Sequence, residues 1–505
     1  MEEICMKFRR IAAFLVSAAL LVSTAAVLAG CSDKDEDNTF VVGFDAEFPP
    51  YGFKDDSGEY VGLDLDLAEA VCEKRGWKLE KRPIDWDSKD MELKSGQIDC
   101  IWNGFTINGR ENDYTWSAPY FDNAQVMVVK ADSGISEVEQ LADKIVAVQA
   151  DSSGLAALTG DDATDENKAL AATFKDIQQV GDYNTAFLNL DSGVVDAICM
   201  DIGVAKYEIH QRDGDYEVLD KHISSEKYGI GFYKGNTELR DEVQETLFEL
   251  LEDGTISDIA AKWDLADAVC LTKDSKVIDG DDSASKTFTE ELAYVCKELL
   301  KGVGSSFAIF FFTLLFALPL GLIISFGRMS KFAPLRWITK LYISVVRGTP
   351  LMLQLLLVFF GPNLIFGIKL SSDYRFYAVL IGFVLNYAAY FAEIYRSGIQ
   401  AIPKGQYEAA EILGYSSKQT FFKIVFPQMM KNIIPSITNE VITLVKDTSL
   451  AFAIAYTEMF TIAKQVAAAE ATIMPIFIAG VFYYVFNFIV ATVMDMIEKK
   501  LNYFR

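Results

Sequence analysis

Few residues in this 505-residue chain could do chemistry, and the most telling are a pair of opposite charge, Arg110 and Asp201. A small zwitterion taken out of water needs a guanidinium and amide donors for its carboxylate, and a carboxylate for its ammonium. Arg110 and Asp201 suit those two tasks. Each also has a plainer reading: Arg110 as a solvated arginine on a loop, and Asp201 as a cap on the helix after the strand Ala197 to Met200. Metal or histidine chemistry is disfavoured, because the chain has two histidines, His210 and His222, and seven cysteines with no C-x-x-C pair. Cys72, Cys100 and Cys199 lie in apolar patterns and read as small buried hydrophobes, their redox state open. No G-x-x-x-x-G-K-[ST] loop is present to cradle nucleotide phosphates, so no cofactor and no catalytic residue are expected.

The elements that must position these residues change character along the chain. From Phe40 onward strand-like runs alternate with amphipathic helical ones: Phe40 to Phe44, Leu65 to Lys74, Ile98 to Trp102, Ala124 to Val129 and Ile145 to Val148. That alternation is an α/β signature. Asp45 to Tyr51 follow the first strand, so their side chains fall at the carboxyl edge, where open α/β sheets bind ligands.

Beyond Gly302 the pattern becomes that of a membrane protein. Uncharged stretches run Gly302 to Gly327, Gly348 to Ile368, Phe376 to Ala392 and Ala471 to Met494, with a more polar fifth from Ile433 to Tyr456, which predicts five spans. Lysine and arginine cluster in Arg328 to Lys340, Arg396 to Lys431 and Lys499-Lys500, placing those segments in the cytoplasm. Glu440, Lys446 and Asp447 lie within or beside the fifth stretch; they line a path or pair between helices. The formal charge of −25 comes almost wholly from residues before 295, which excludes nucleic acid as a partner for that half.

The N-terminus reads as an export signal: the basic Met6 to Arg10, the apolar Ile11 to Val27, then Leu28-Ala29-Gly30-Cys31. This ending resembles a bacterial lipobox, which implies that Cys31 is lipidated and that the polar residues 32–38 form a tether; ordinary cleavage leaving a free Cys31 thiol is the alternative. Residues 274–289, rich in Asp, Ser and Lys, read as a second tether.

Several motifs carry a family resemblance. Phe48-Pro49-Pro50-Tyr51, Gly62 to Ala68, Asn103-Gly104-Phe105-Thr106-Ile107, Ser117 to Tyr120, Val194 to Ala197 and Tyr228 to Phe232 resemble the polar amino acid family of type II solute-binding proteins. That resemblance implies two lobes joined by two strand crossings, expected near Val126 to Val129 and Tyr228 to Phe232. It places Arg110, Ser152 and Ser153 on a ligand's carboxylate and Asp201, Thr106 and the Asn103-Gly104 backbone on its ammonium. Phe48 and Trp86 would flank the side chain, or else belong to the core. Two departures bear on this mapping: the segment from Thr106 to Arg110 is one residue short, and Asp151 stands where a glycine commonly precedes the hydroxyls.

In the membrane half, Glu408-Ala409-Ala410, then Gly414, then Ile424-Val425-Phe426-Pro427 match the EAA loop of ABC importer permeases, with Phe426 in place of the usual leucine. A short helix, a glycine turn and a second amphipathic helix suit docking to a partner's groove. Read without the resemblance it is an ordinary cytoplasmic hairpin. Arg347 to Leu351, Glu393 to Ile399 and Leu444 to Leu450 also look like amino acid permease motifs.

The resemblances together imply a multidomain chain: signal 1–31, tether 32–38, α/β two-lobed binding domain 39–268, linker 269–290 and an all-α permease with five helices, 291–505. They imply the binding and permease component of an ATP-binding cassette importer for polar amino acids, not itself an enzyme. It would be multi-pass in the plasma membrane with its binding domain outside, a homodimer joined to a separate ATPase subunit. A ligand-gated channel of the glutamate-receptor class would interrupt the binding domain with a pore and carry a filter loop, neither of which the sequence shows. A ligand-binding sensor remains the other alternative.

Overall fold

The computed structural model describes residues 38–501 except 56, 161–162, 213–214, 280–287, 369, 371–373 and 470–471. The signal segment, Cys31 and most of the first tether lie outside the described residues, as does the middle of the linker. The exported half forms two lobes. The first holds a six-stranded sheet ordered Ile278–Asp279, Thr115–Trp116, Gly231–Phe232, Cys100–Ile101, Thr39–Phe44, Lys78–Pro83. Thr39–Phe44 runs parallel to both of its neighbours, as the β-α-β alternation requires. The helix between the first strands, Leu63–Arg75, starts after Gly62 at φ 146° and ends on Gly76 in the left-handed region, whose N–H returns to the Cys72 carbonyl. Gly62 is needed there, because a Cβ would lie 2.2 Å from the Tyr51 carbonyl oxygen.

The second lobe is built on the ten-residue strand Phe121–Lys130, buried along most of its length. Its sheet runs Asp176–Val180, Ile145–Gln149, Ala197–Asp201, Phe121–Lys130, Tyr216–Val218, and Ser224–Tyr228 pairs with Phe121–Lys130 as well. The chain crosses between lobes at 117–120 and again at 229–230. The expectation for the first crossing is therefore corrected: Val126 to Val129 lie in the middle of a lobe-two strand, paired with Ala197–Met200 on one edge. The second crossing falls inside the stretch expected for it.

The membrane half is helical. Phe288–Met329, Tyr374–Gln400 and Met474–Lys500 are long and apolar enough to span a bilayer, and Ala333–Gly348 with Leu351–Phe366 make a pair bent by 112° that counts as a fourth span if taken together. The polar fifth stretch falls on Phe426–Asp447, interrupted by Pro435, and on a 3-10 turn Thr448–Ile454. It does not meet the length and apolarity of a span by itself, so among the described residues three helices, or four with the bent pair, meet them by length and composition. The spans present bare Phe307, Ile323, Tyr484 and Phe488 outward, the aspect a lipid solvent favours.

The two halves touch. Lys464 of the helix Met459–Ala469 pairs with Asp87 of lobe one at 2.8 Å, and Leu370 N–H donates to the Ser192 carbonyl of lobe two at 3.0 Å. These contacts put residues 370 and 464 on the binding-domain side of the membrane, opposite the lysine- and arginine-rich segments.

Candidate functional site

Asp201 ends the strand Ala197–Asp201 and is buried. It stands at the N-cap of the helix Ile202–Gln211, yet its side chain makes no capping hydrogen bond. Instead Oδ1 accepts from Asn123 Nδ2 (2.7 Å), Gln125 Nε2 (2.7 Å) and Tyr228 OH (2.6 Å), and Oδ2 from Tyr183 OH (3.1 Å). The reason is register. Asp201 lies opposite Gln125, and Glu226 on the other edge lies opposite Asn123, so two residues of like phase on one central strand aim between two carboxylates. Glu226 Oε2 accepts from the same two amides, at 3.2 and 3.1 Å, and from Thr106 Oγ1 at 2.9 Å. Among the described residues no lysine or arginine forms an ion pair with Asp201, Glu226 or the buried Asp45. Asn123 Oδ1 and Gln125 Oε1 are buried and accept no hydrogen bond. The cleft floor is thus rich in acceptors and negative charge.

The other candidate residues divide. Phe48 and Trp86 face each other with ring centroids 6.5 Å apart and planes inclined by 4°. Two contact distances of about 3.5 Å exceed that spacing, so the rings would have to part slightly to sandwich a flat group and as they stand offer it an aromatic face. Arg110 reaches across from lobe one: Nη2 donates to the Asp151 carbonyl at 2.9 Å and the guanidinium sits 5.3 Å above the Phe105 ring. Ser152 is occupied locally, capping the helix Ser153–Thr159 through Leu155 N–H and donating to the Gln149 carbonyl. Ser153 Oγ accepts from Gln125 Nε2 at 3.0 Å. The Asn103-Gly104 pair turns partly inward, with Asn103 Oδ1 accepting from Asp45 N–H and Gly104 N–H donating to Asp64. Asp201, Thr106, Phe48 and Trp86 therefore come together at the cleft, Arg110 and the Ser152-Ser153 turn lie along its rim, and the Ser152 hydroxyl and the Gly104 N–H already hold partners within the protein.

Sequence reasoning missed Glu226, Asn123, Gln125, Tyr183 and Lys89. Glu226 stands two residues before the Tyr228-Gly229-Ile230 motif, a local cue that was there to use. The amides on Phe121–Lys130 carry no cue, because their role arises only from pairing.

The buried carboxyls are shifted. Burial lifts Asp45 to about 6 and Asp64 to about 7. Asp201 is lifted by burial first and by the adjacent Glu226 charge second. A carboxyl raised above its ordinary range binds its proton more tightly folded than unfolded, so its contribution to stability increases as pH falls from about 7 toward about 4. The unliganded binding domain is accordingly expected to melt at higher temperature at pH 5 than at pH 7.5 in a calorimetric scan of the intact chain. Its affinity for an ammonium should move the other way, since Asp201 must be ionised to hold one. A lower melting temperature at pH 5 would contradict the assignment.

In the lysine- and arginine-rich segment after Tyr374–Gln400, Glu408, Ala409 and Ala410 lie on the helix Lys404–Ile412, Gly414 takes φ +76°, and the chain resumes through Ser417–Thr420 and a π-helical turn Phe421–Val425. That turn holds Ile424, and Pro427 opens Phe426–Asp447. The knob between the helices is apolar and bare, Ile412 being 87% and Leu413 73% exposed. Of the motif's residues, Ala410 and Val425 are buried and Phe426 packs against the core from a partly buried position. In the membrane, Asp447 accepts from Tyr387 OH of the helix Tyr374–Gln400 at 2.6 Å, a pairing between helices.

A two-lobed α/β cleft with a charged, polar floor, carried outside the membrane on a bundle of apolar helices, defines a solute importer that captures its cargo before passing it inward. The comparisons with known proteins give the family. Residues 40–266 match the bacterial extracellular solute-binding proteins, family 3, and residues 317–503 match the binding-protein-dependent transport system inner membrane component. The arginine transport system permease protein ArtQ of Bacillus subtilis (strain 168) is 38% identical over 205 residues, covering 40% of this chain and 92% of the relative. The L-cystine transport system permease protein TcyB of the same organism is 38% identical over 190 residues, covering 37% of this chain and 80% of the relative. An ABC uptake transporter substrate-binding protein from Streptococcus pneumoniae with bound histidine is 32% identical, covering 46% of this chain and 95% of that one, with a TM-score of 0.43. The chain belongs to the amino acid ABC importer family, as a binding domain and a permease domain fused in one polypeptide of the plasma membrane, the binding domain outside. The channel reading is thereby set aside.

Proposed function

We propose that the cargo is an amino acid with a cationic, flat-ended side chain, arginine first among them. The observation that carries this is the charge of the cleft: Asp201 and Glu226 share two amide donors, Asp45 is buried nearby, and none has a counter-ion among the described residues. Some buried charges elsewhere are paired, Arg240 with Asp279 at 2.8 Å and Glu208 with Arg212 at 2.7 Å, whereas the buried Asp64 is held by Tyr120 OH and the Gly104 N–H. A neutral amino acid brings one positive and one negative charge, and its carboxylate takes Arg110. A second positive charge on the ligand offsets what remains, because unpaired buried charge is costly. The parallel Phe48 and Trp86 rings offer aromatic faces on which a guanidinium can stack, and the similarity to an arginine permease agrees.

In this reading Asp201, with Thr106 beside it, meets the ammonium, and Arg110 with the Ser152-Ser153 turn meets the carboxylate as the lobes close. The Gly414 loop docks a separate ATPase subunit, two copies of the chain form the translocation path, and the leader ends at a lipidated Cys31. Arginine against citrulline tests the charge, since the two share length and zwitterion and differ by one positive group. Titration of the intact chain should show arginine binding about 100-fold more tightly, the scale of one buried charged hydrogen bond lost. Equal affinities would overturn the cationic cargo and leave the amino acid reading standing; no binding of any amino acid would remove both.

A further inference from the structure

We propose that Lys89 and Asp151 form a charge clamp across the cleft rim, in which Lys89 cancels a carboxylate that would otherwise compete with the ligand's own carboxylate for Arg110. The inference rests on the reading that Arg110 and the Ser152-Ser153 turn receive that carboxylate.

Lys89 opens the short helix Lys89–Lys94 of lobe one, directly after the 3-10 turn that carries Trp86. It is 1% exposed, which a lysine tolerates only when its charge is matched. Its Nζ pairs with the Asp151 carboxylate of lobe two, and lies 3.5 Å from Asp90 and 5.2 Å from the Trp86 ring centroid. Asp90 is already engaged by Tyr114 OH. Asp151 is therefore the principal counter-charge, and it comes from the opposite lobe. Its backbone stands at φ +54°, a conformation in which a side chain is held at some cost. The same residue's carbonyl accepts from Arg110 Nη2 at 2.9 Å. One residue of lobe two thus takes two cations of lobe one, through its carboxylate and its carbonyl.

The placement has an electrostatic consequence. Asp151 immediately precedes Ser152 and Ser153, so its carboxylate is the negative group nearest the position assigned to the ligand's. With Lys89 in place the local charge is balanced and Arg110 keeps its donors for the ligand. Without Lys89, the Asp151 carboxylate turns to Arg110 and repels the incoming carboxylate. Lys89 and Asp151 are positioning residues in this sense, and the contact also favours closure of the lobes, since opening strands a buried lysine.

The test compares L-arginine with L-argininamide, which keeps both positive groups and lacks the carboxylate, on the intact chain by titration calorimetry. Lys89→Met is expected to weaken arginine about 100-fold and argininamide less than about 5-fold. Adding Asp151→Gly to Lys89→Met should restore arginine to within about 10-fold of the parent, because it removes the competing charge. Equal losses for both ligands with no recovery in the double variant would overturn the clamp. Should Lys89→Met fail to fold, the double variant and Asp151→Gly still decide: both must bind arginine, and Asp151→Gly must release it faster, by about 10-fold. If the parent itself binds arginine and argininamide alike, the carboxylate reading of Arg110 fails first.

Discussion

Asp201→Asn is expected to cut the affinity of the intact chain for its amino acid by about 3–5 kcal/mol, about 150-fold or more, with little change in melting temperature. Asparagine preserves the volume and one acceptor, so Tyr183 and Tyr228, whose hydroxyls both donate and accept, can re-form their bonds by rotation. What is lost is the charge that an ammonium needs in a buried site. Glu226 remains beside it and takes up the shared amide donors, so the floor of the cleft stays formed. Alanine is the poorer probe, since it strands four donors at once and confounds binding with folding. Asp201→Asn with unchanged affinity would move the ammonium site away from this strand end. A loss of affinity together with a fall in melting temperature of many degrees would instead make Asp201 a structural residue. Glu226→Gln is the companion measurement: in the cationic reading it weakens arginine and spares citrulline.

The limits of sequence reading show in these same residues. Asp201 was legible because a strand-like run ending in an acid, before a helix, puts that acid at the carboxyl edge of a sheet. Glu226 was not, because its position beside Asp201 depends on both flanking the strand Phe121–Lys130, and its hydrogen bond to Asn123 spans 103 residues of chain. The misplaced crossing has the same origin. Val126 to Val129 sit in an unbroken apolar run, and apolarity reports burial in a lobe, whereas the point of passage between lobes is set by which strands pair. Asp151 illustrates a third case: it read as a departure from pattern, and its meaning required the distant Lys89. The fifth membrane stretch is the more polar one for a local reason, since Phe426–Asp447 carries its apolar residues on one face and Pro435 within it, the pattern of a helix packed against others. The Gly414 loop, by contrast, lay open in the sequence because every part of it is local.

That loop carries the second large effect. The double substitution Ile412→Asp with Leu413→Asp is expected to abolish ATP-driven uptake of labelled amino acid by cells carrying the chain, at least 100-fold, while leaving amino acid affinity within about twofold. The argument runs from exposure to partner. Apolar side chains as bare as Ile412 and Leu413, at the end of a charged helix and outside the spans, bury nothing within the chain, so their removal costs the fold little. An apolar knob on a rigid helix-turn-helix is suited to a groove on a partner, where a single buried carboxylate without a counter-ion costs several kcal/mol. Two such charges would release a docked ATPase. Gly414→Ala is the milder test at the same place: its added methyl meets nothing within 4 Å, so its effect is confined to the left-handed backbone, about 1 kcal/mol. Graded loss, partial for Gly414→Ala and complete for the double aspartate, with ligand binding intact in both, is the pattern that docking requires. Full uptake by the double aspartate variant would mean that the motor couples elsewhere, and would return the loop to an ordinary cytoplasmic hairpin.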